Sequence, residues 1–130
     1  MRRVIDSSAL IDAILPTTRQ DRALAAMADA ELWSPAIVDL EVASALWRLA
    51  RTGQISAAEA DSGVDALQTA PIRRVDDTAV VGEAWRLRES VRVSDAFYVA
   101  CARLLNADLI TSDARLSRAH DLRITVVLLR

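Results

Sequence analysis

The 130-residue chain contains no lysine, since all sixteen of its basic residues are arginine. Chemistry that depends on a catalytic lysine is therefore excluded. A single cysteine, Cys101, and a single histidine, His120, rule out a disulfide framework and any zinc site assembled from cysteine and histidine clusters. No run approaches the roughly eighteen apolar residues of a membrane span, and Met1-Arg2-Arg3 passes straight into Val4-Ile5-Asp6 without the apolar stretch of a signal peptide. A cytoplasmic protein with no membrane partner is expected. The basic excess that usually announces a nucleic-acid binder is missing as well, because the formal charge is -2. Any contact with a polyanion must come from local patches. What is present, 52% hydrophobic and 26% charged residues, suffices for one core and one domain spanning residues 1–130.

Short runs rich in Val, Ile and Leu alternate with longer segments of helical period, the pattern of an α/β protein with a mostly parallel sheet. Five strands are expected at Arg3–Ile5, Leu32–Ser34, Ile72–Val75, Leu109–Thr111 and Ile124–Leu128. Helices are expected over Ser8–Leu15, Arg19–Ala30, Ala36–Arg51, Ala57–Thr69, Asp77–Glu89, Asp95–Leu105 and Ala114–Ala119. Pro16 stops the first helix, Thr52 and Gly53 end the third, Ser56 caps the fourth and Pro71 follows it. The two central helices are joined by a short turn and should form an antiparallel hairpin beside the sheet.

In such a sheet, strand C-termini and helix N-termini meet along one rim, where ligands bind. Four acidic residues fall there. Asp6 follows the first strand, Glu41 lies early in the helix after the second, Asp95 opens the helix before the fourth, and Asp113 follows the fourth after Thr111 and Ser112. Each aspartate taken alone is accounted for equally well as a helix cap. Glu41 is not, because it sits about one turn into the apolar segment Ile37, Val38, Leu40, Val42, Ala43 and Leu46. The same neighbours favour Glu41 over nearby Asp39 as the inward carboxylate. Four gathered carboxylates repel one another, and a hard divalent cation, Mg²⁺ or Mn²⁺, relieves that cost. Phosphodiester hydrolysis is the chemistry this suggests.

Four segments carry a family resemblance: Val4-Ile5-Asp6-Ser7-Ser8-Ala9-Leu10-Ile11, Glu41 ahead of Ala43 and Leu46, Ser94-Asp95-Ala96-Phe97-Tyr98-Val99-Ala100-Cys101-Ala102, and Leu109-Ile110-Thr111-Ser112-Asp113-Ala114-Arg115-Leu116. Together they resemble the PIN-domain family, most closely the VapC toxins of bacterial toxin–antitoxin pairs, over nearly the whole chain. The resemblance implies a three-layer α/β fold with a five-stranded sheet, and a metal-dependent endoribonuclease. Such enzymes are usually dimeric and are held inactive by a VapB antitoxin in the acidic groove. It places Asp6, Glu41 and Asp95 on the three core acidic positions and Asp113 on the more variable fourth. Asp6 and Asp95 would ligate the ion directly, Glu41 and Asp113 in part through water, with Ser8 and Thr111 as supporting hydroxyls. Metal-activated water would leave a 5′-phosphate and a 3′-hydroxyl.

RNA contacts are expected from Arg48 and Arg51, beyond Glu41 on its helix, and from Arg86, Arg88 and Arg92, leading into Asp95. Each could instead be a solvated residue paired with Glu83 or Glu89. Trp33, Trp47, Trp85, Phe97 and Tyr98 read as core or subunit-interface residues, not as base-stacking platforms. Cys101 reads as a small buried hydrophobe and His120 as a surface residue. Other classes fit less well. Phosphoacceptor α/β proteins need a lysine and a second Asp two residues beyond Asp6, where Ser8 stands. A non-catalytic module of the same fold would be expected to lack a core acid, and a DNA-flap nuclease would need long insertions.

Overall fold

The computed structural model describes all of Met1–Arg130. Its elements run β1 (Arg2–Ile5), α1 (Ser7–Ile14), α2 (Gln20–Met27), β2 (Glu31–Pro35), α3 (Ile37–Arg51), α4 (Ala57–Thr69), β3 (Ile72–Val75), α5 (Asp77–Arg86), α6 (Val93–Leu105), β4 (Asp108–Thr111), α7 (Ala114–Ser117) and β5 (Val126–Leu128). The five strands form one sheet in the order β3-β2-β1-β4-β5, and every pairing is parallel. The α/β class with a central five-stranded sheet is thus as the patterning predicts, with "mostly parallel" becoming wholly so.

The order has one consequence for function. From β1 the chain steps to β2 and β3 on one side, then returns across the sheet to β4 and β5 on the other. Right-handed crossovers then place α1–α4 and α5–α6 on opposite faces. Consistent with this, α1 packs on α2, α3 and α4, whereas α5 packs on α6 and α6 lies along β1, β2 and β4. The reversal between β1 and β4 opens a crevice at their C-terminal ends.

Several elements are shorter than the periodicity suggests. The second helix stops at Met27, because Asp29 turns into the left-handed region at φ 58° and hands the chain to β2. The fifth stops at Arg86 and dissolves into turns through Ser90, and β5 begins only at Val126, after the positive-φ residues Asp121 and Arg123. Conversely, α6 begins two residues earlier than expected, so Asp95 stands inside the first turn instead of opening it. The α3–α4 hairpin turns at Gly53, whose φ of 77° suits a residue without a Cβ. Ser56 caps α4 in a reciprocal box with Glu59. Gly63 then lets α4 approach closely, since a Cβ there would lie 3.0 Å from a Leu46 methyl.

One continuous core of 28 hydrophobic residues is built from the strands and the inward faces of the helices; it includes Val4, Ile5, Leu109 and Ile110 at full burial. Tyr98 and Cys101 are buried in it. The remaining aromatics divide: Trp33 and Phe97 are half-buried, but Trp47 and Trp85 are 65% and 59% exposed, which removes core packing as their role. His120 is exposed.

Candidate functional site

The register of β1 against β4 sets the site. Ile5 pairs with Ile110, and the Asp6 N–H donates to the Ile110 carbonyl at 3.1 Å, so Asp6 and Thr111 leave adjacent strands side by side. Asp6 then caps α1, its backbone extended (φ -87°, ψ 172°) and its Oδ1 accepting from the Ala9 N–H at 2.9 Å. Oδ1 also accepts from the Ser8 hydroxyl at 2.7 Å, and Oδ2 from the Thr111 hydroxyl at 2.5 Å. Capping and a place on the cleft, alternatives when the sequence is read alone, therefore coexist in one carboxylate.

Both hydroxyls are doubly used. Ser8 Oγ accepts from the Ser112 N–H at 3.0 Å, and Thr111 Oγ1 accepts from the Asp113 N–H at 3.0 Å. Each thus ties the Asp6 carboxylate to the loop that carries Asp113. A further tie comes from Asp12, buried one turn beyond Ser8 on α1, which accepts from the Ser112 hydroxyl at 2.5 Å. Thr111→Val, near in shape, removes a donor from a buried carboxylate and an acceptor from a backbone N–H. It is expected to destabilise the fold by about 1–3 kcal/mol, read as a lowered midpoint in urea titration at constant slope; an unchanged midpoint would refute the role given to this hydroxyl.

Burial dominates the Asp6 environment and pushes its carboxyl up to about 6. The Thr111, Ala9 and Ser8 hydrogen bonds hold it down only in part, and the negative charge of Asp95 adds to the rise. Glu41 lies across the crevice on α3, where Tyr98 of α6 donates its hydroxyl to Oε1 at 2.5 Å. Burial first, then the Glu41 hydrogen bond and charge, drive the Tyr98 phenol far above its ordinary range, so it stays a neutral donor. Asp39, two residues ahead of Glu41, turns away to pair with Arg74 at 2.8 Å.

Asp95 and Asp113 carry guanidinium partners. Arg92 Nε donates to Asp95 Oδ2 at 3.2 Å, and Arg92 Nη2 lies 3.8 Å from Asp113 Oδ2. Arg115 reaches both oxygens of Asp113 at 3.3 and 3.1 Å, and its backbone N–H donates to Oδ1 at 2.9 Å. These contacts, the Arg115 side-chain hydrogen bond foremost, hold the Asp113 carboxyl below its ordinary value.

Asp6, Ser8, Asp12, Glu41, Asp95 and Asp113 all line one open cleft of about 730 Å³. Among the five arginines singled out from the sequence, Arg48 and Arg92 border it and Arg51, Arg86 and Arg88 do not. Arg86 instead pairs with Glu83 at 3.4 Å, and Arg88 stacks on Trp85 at 4.6 Å. Arg19 borders the cleft without having been singled out. Asp12 and Tyr98 were also missed, although each repeats a helical spacing from a residue that was not: Asp12 lies four residues after Ser8, and Tyr98 three after Asp95. As arranged, no three acidic, histidine or cysteine side chains converge closely enough to hold one ion.

The cleft does offer what a hard cation needs: oxygen donors only, a carboxyl kept high by burial and by a neighbouring charge, and room for an ion that retains waters. Arg115 engages both oxygens of Asp113 and Arg92 lies near it as well, whereas Asp95 meets only Arg92 through one oxygen, so the donor set fits a divalent ion centred on Asp6, Glu41 and Asp95 better than one centred on Asp113.

Known proteins resemble the chain in sequence and in fold. Ribonuclease VapC3 of Mycobacterium tuberculosis is 35% identical over 117 residues, covering 89% of this chain and 85% of that protein. Ribonuclease VapC1 of the same organism is 31% identical over 129 residues, covering 98% and 97%. Among solved structures, the fold matches that of VapBC2 from Rickettsia felis, bound to a promoter DNA fragment, with a TM-score of 0.68 at 16% identity over the full length of both chains. It also matches Mycobacterium tuberculosis VapC20, a sarcin-ricin-loop-cleaving toxin, with a TM-score of 0.68 at 17% identity over 88% and 92% of the chains. Residues 3–122 match the PIN domain family as a whole, and the chain belongs to that family.

Proposed function

We propose that this protein is a metal-dependent endoribonuclease acting as the toxin of a VapBC-type toxin–antitoxin pair. The observation that carries the reading is the convergence of Asp6, Glu41, Asp95 and Asp113 on one cleft at the sheet reversal. The ribonuclease names of relatives above 30% identity and the toxin–antitoxin complexes among the structural neighbours support it. An Mg²⁺ or Mn²⁺ ion, when bound, lowers the pKa of water and offsets charge developing on the phosphate.

The chain's own residues supply the rest. Asp6, Glu41 and Asp95 would hold the ion, with Asp113 at the margin. Ser8, Thr111 and the Ala9 N–H fix both Asp6 oxygens, so the carboxylate cannot swing as charge builds beside it. Tyr98 fixes Glu41, which lines the cleft, through Oε1 and leaves Oε2 without a hydrogen bond. Arg48, Arg92 and Arg19 are the cations on the cleft wall, where they would offset the repulsion between RNA and a chain of charge -2. Homodimerisation and capture by a VapB-like antitoxin complete the proposal. The exposed Trp47 and Trp85 are apolar surface available to such partners.

Purified protein in Mg²⁺ should cut total RNA to products bearing 5′-phosphates and 3′-hydroxyls. Chelator should stop the reaction, and Asp95→Asn should lower its rate by more than about a hundredfold while leaving the melting curve cooperative. Intact RNA after incubation with the antitoxin-free wild type, or wild-type turnover by the variant, would refute the assignment.

A further inference from the structure

A second cleft, of about 240 Å³, opens beside the acidic one between the turn at Ser90–Arg92 and α7. Three arginines line it, Arg92, Arg115 and Arg118, and the only acidic side chain on its wall is Asp95. Arg92 and Asp95 border both clefts, so the two are adjacent. Arg92 and Arg115 remain 63% and 68% exposed despite their ion pairs. Arg118 is exposed and has no carboxylate partner at all.

A protein with an excess of acids has little reason to gather three guanidiniums beside four carboxylates for stability alone, since exposed pairs contribute little and Arg118 has no carboxylate to pair with. The cleft is too small for a helix or a folded partner and suits one phosphodiester unit, whose oxygens a guanidinium binds in forked geometry. Resting on the ribonuclease reading above, we propose that this cleft is a subsite for a backbone phosphate of the RNA strand next to the bond being cut. Arg118 is its principal donor, with Arg92 and Arg115 on its walls. An extended strand lying across both clefts would place one phosphate at the acids and a neighbouring one among the arginines. The contact is to backbone, so it gives affinity without base preference.

The test uses the full chain and a mixed-sequence single-stranded decaribonucleotide, with binding followed by fluorescence anisotropy in chelator at several salt concentrations. Arg118→Gln is expected to weaken binding about tenfold and to lower the slope of log affinity on log salt by roughly 0.7. Arg118→Lys should recover most of the slope, and Arg115→Gln/Arg118→Gln should lose more of both. In Mg²⁺, Arg118→Gln should raise KM with kcat within about twofold, the signature of lost uniform binding. Arg73→Gln, on an exposed arginine outside both clefts, should match the wild type throughout.

Wild-type affinity and salt slope in Arg118→Gln and in the double variant, from a protein that cleaves RNA normally, would overturn the subsite and leave the ribonuclease assignment standing. Unchanged RNA binding with lost binding to a VapB-like antitoxin peptide would also overturn it, making the cleft a protein contact. A wild type that neither binds nor cleaves RNA would bring down the ribonuclease reading and the subsite together.

Discussion

Replacing Asp6 by asparagine is expected to cut RNA hydrolysis by more than about a hundredfold and, in chelator, to flatten the pH dependence of stability. The second effect follows from burial. The Asp6 carboxyl titrates near 6 in the folded protein against an ordinary value of 3.8. Between those values the folded state keeps a proton that the unfolded chain has released. Stability from the neutral acid is therefore fully present below about pH 4 and is lost as pH rises through 6. Holding this charge in the fold at pH 7 costs about 3 kcal/mol. Asparagine cannot ionise, so the stability of the variant relative to wild type should rise by about that amount between pH 4 and pH 7. Comparing the two proteins cancels the opposite trends of Asp113 and Glu83, whose carboxyls are held low by arginine contacts. Urea titrations of both proteins across this range check the result. Parallel curves would show that Asp6 is not a buried charge in waiting.

The second large effect is the response to metal. Millimolar Mg²⁺ or Mn²⁺ should raise the melting temperature, and more at pH 7.5 than at pH 5, because ion and proton compete for Asp6. At a free ion concentration a hundredfold above Kd the gain is about 2.7 kcal/mol, roughly ten degrees for a chain of this length. Asp95→Asn should remove most of the gain. Asp113→Asn should keep most of it, because Arg115 already occupies both oxygens of that carboxylate at 3.3 and 3.1 Å. Melting temperatures that ignore both metal and chelator would count against an ion site. Equal losses in the two variants would place Asp113 among the principal ligands.

This ranking of the acids shows where sequence reading stops. All four carboxylates lie where strand ends and helix starts are legible, because alternation between β-branched runs and helical periods survives in the sequence whatever the tertiary context. That period also exposes Glu41 as a polar residue on a mostly apolar segment. The helices over 57–69 and 37–51 end at the residues their capping and turn signals indicate. Ends that depend on isolated positive-φ residues, such as Asp29 before β2, carry no comparable signal.

The partners of the acids were less legible. Tyr98 lies 57 positions from Glu41, so no local pattern joins them, and Thr111, 105 from Asp6, is indicated only by the family resemblance. Arg115 is two residues from Asp113, yet only the turn of α7 brings its guanidinium back onto the carboxylate. Arg86 and Arg88 are near Asp95 in sequence but remote from its cleft, because the chain unwinds after Arg86 and begins a new helix at Val93.

By itself, then, the sequence determined the chemistry that is available: no lysine, no cysteine–histidine metal cluster, and acids placed at the ends of parallel strands. Those are properties of composition and local period, and they hold for any arrangement of the strands. Only the tertiary structure decided that β1 and β4 are neighbours at the sheet reversal, and thus that Asp6 shares a proton network with Thr111 while two arginines neutralise the fourth acid. Strand order is set by which apolar faces pack together across the whole core, and that choice is made by contacts a hundred residues apart.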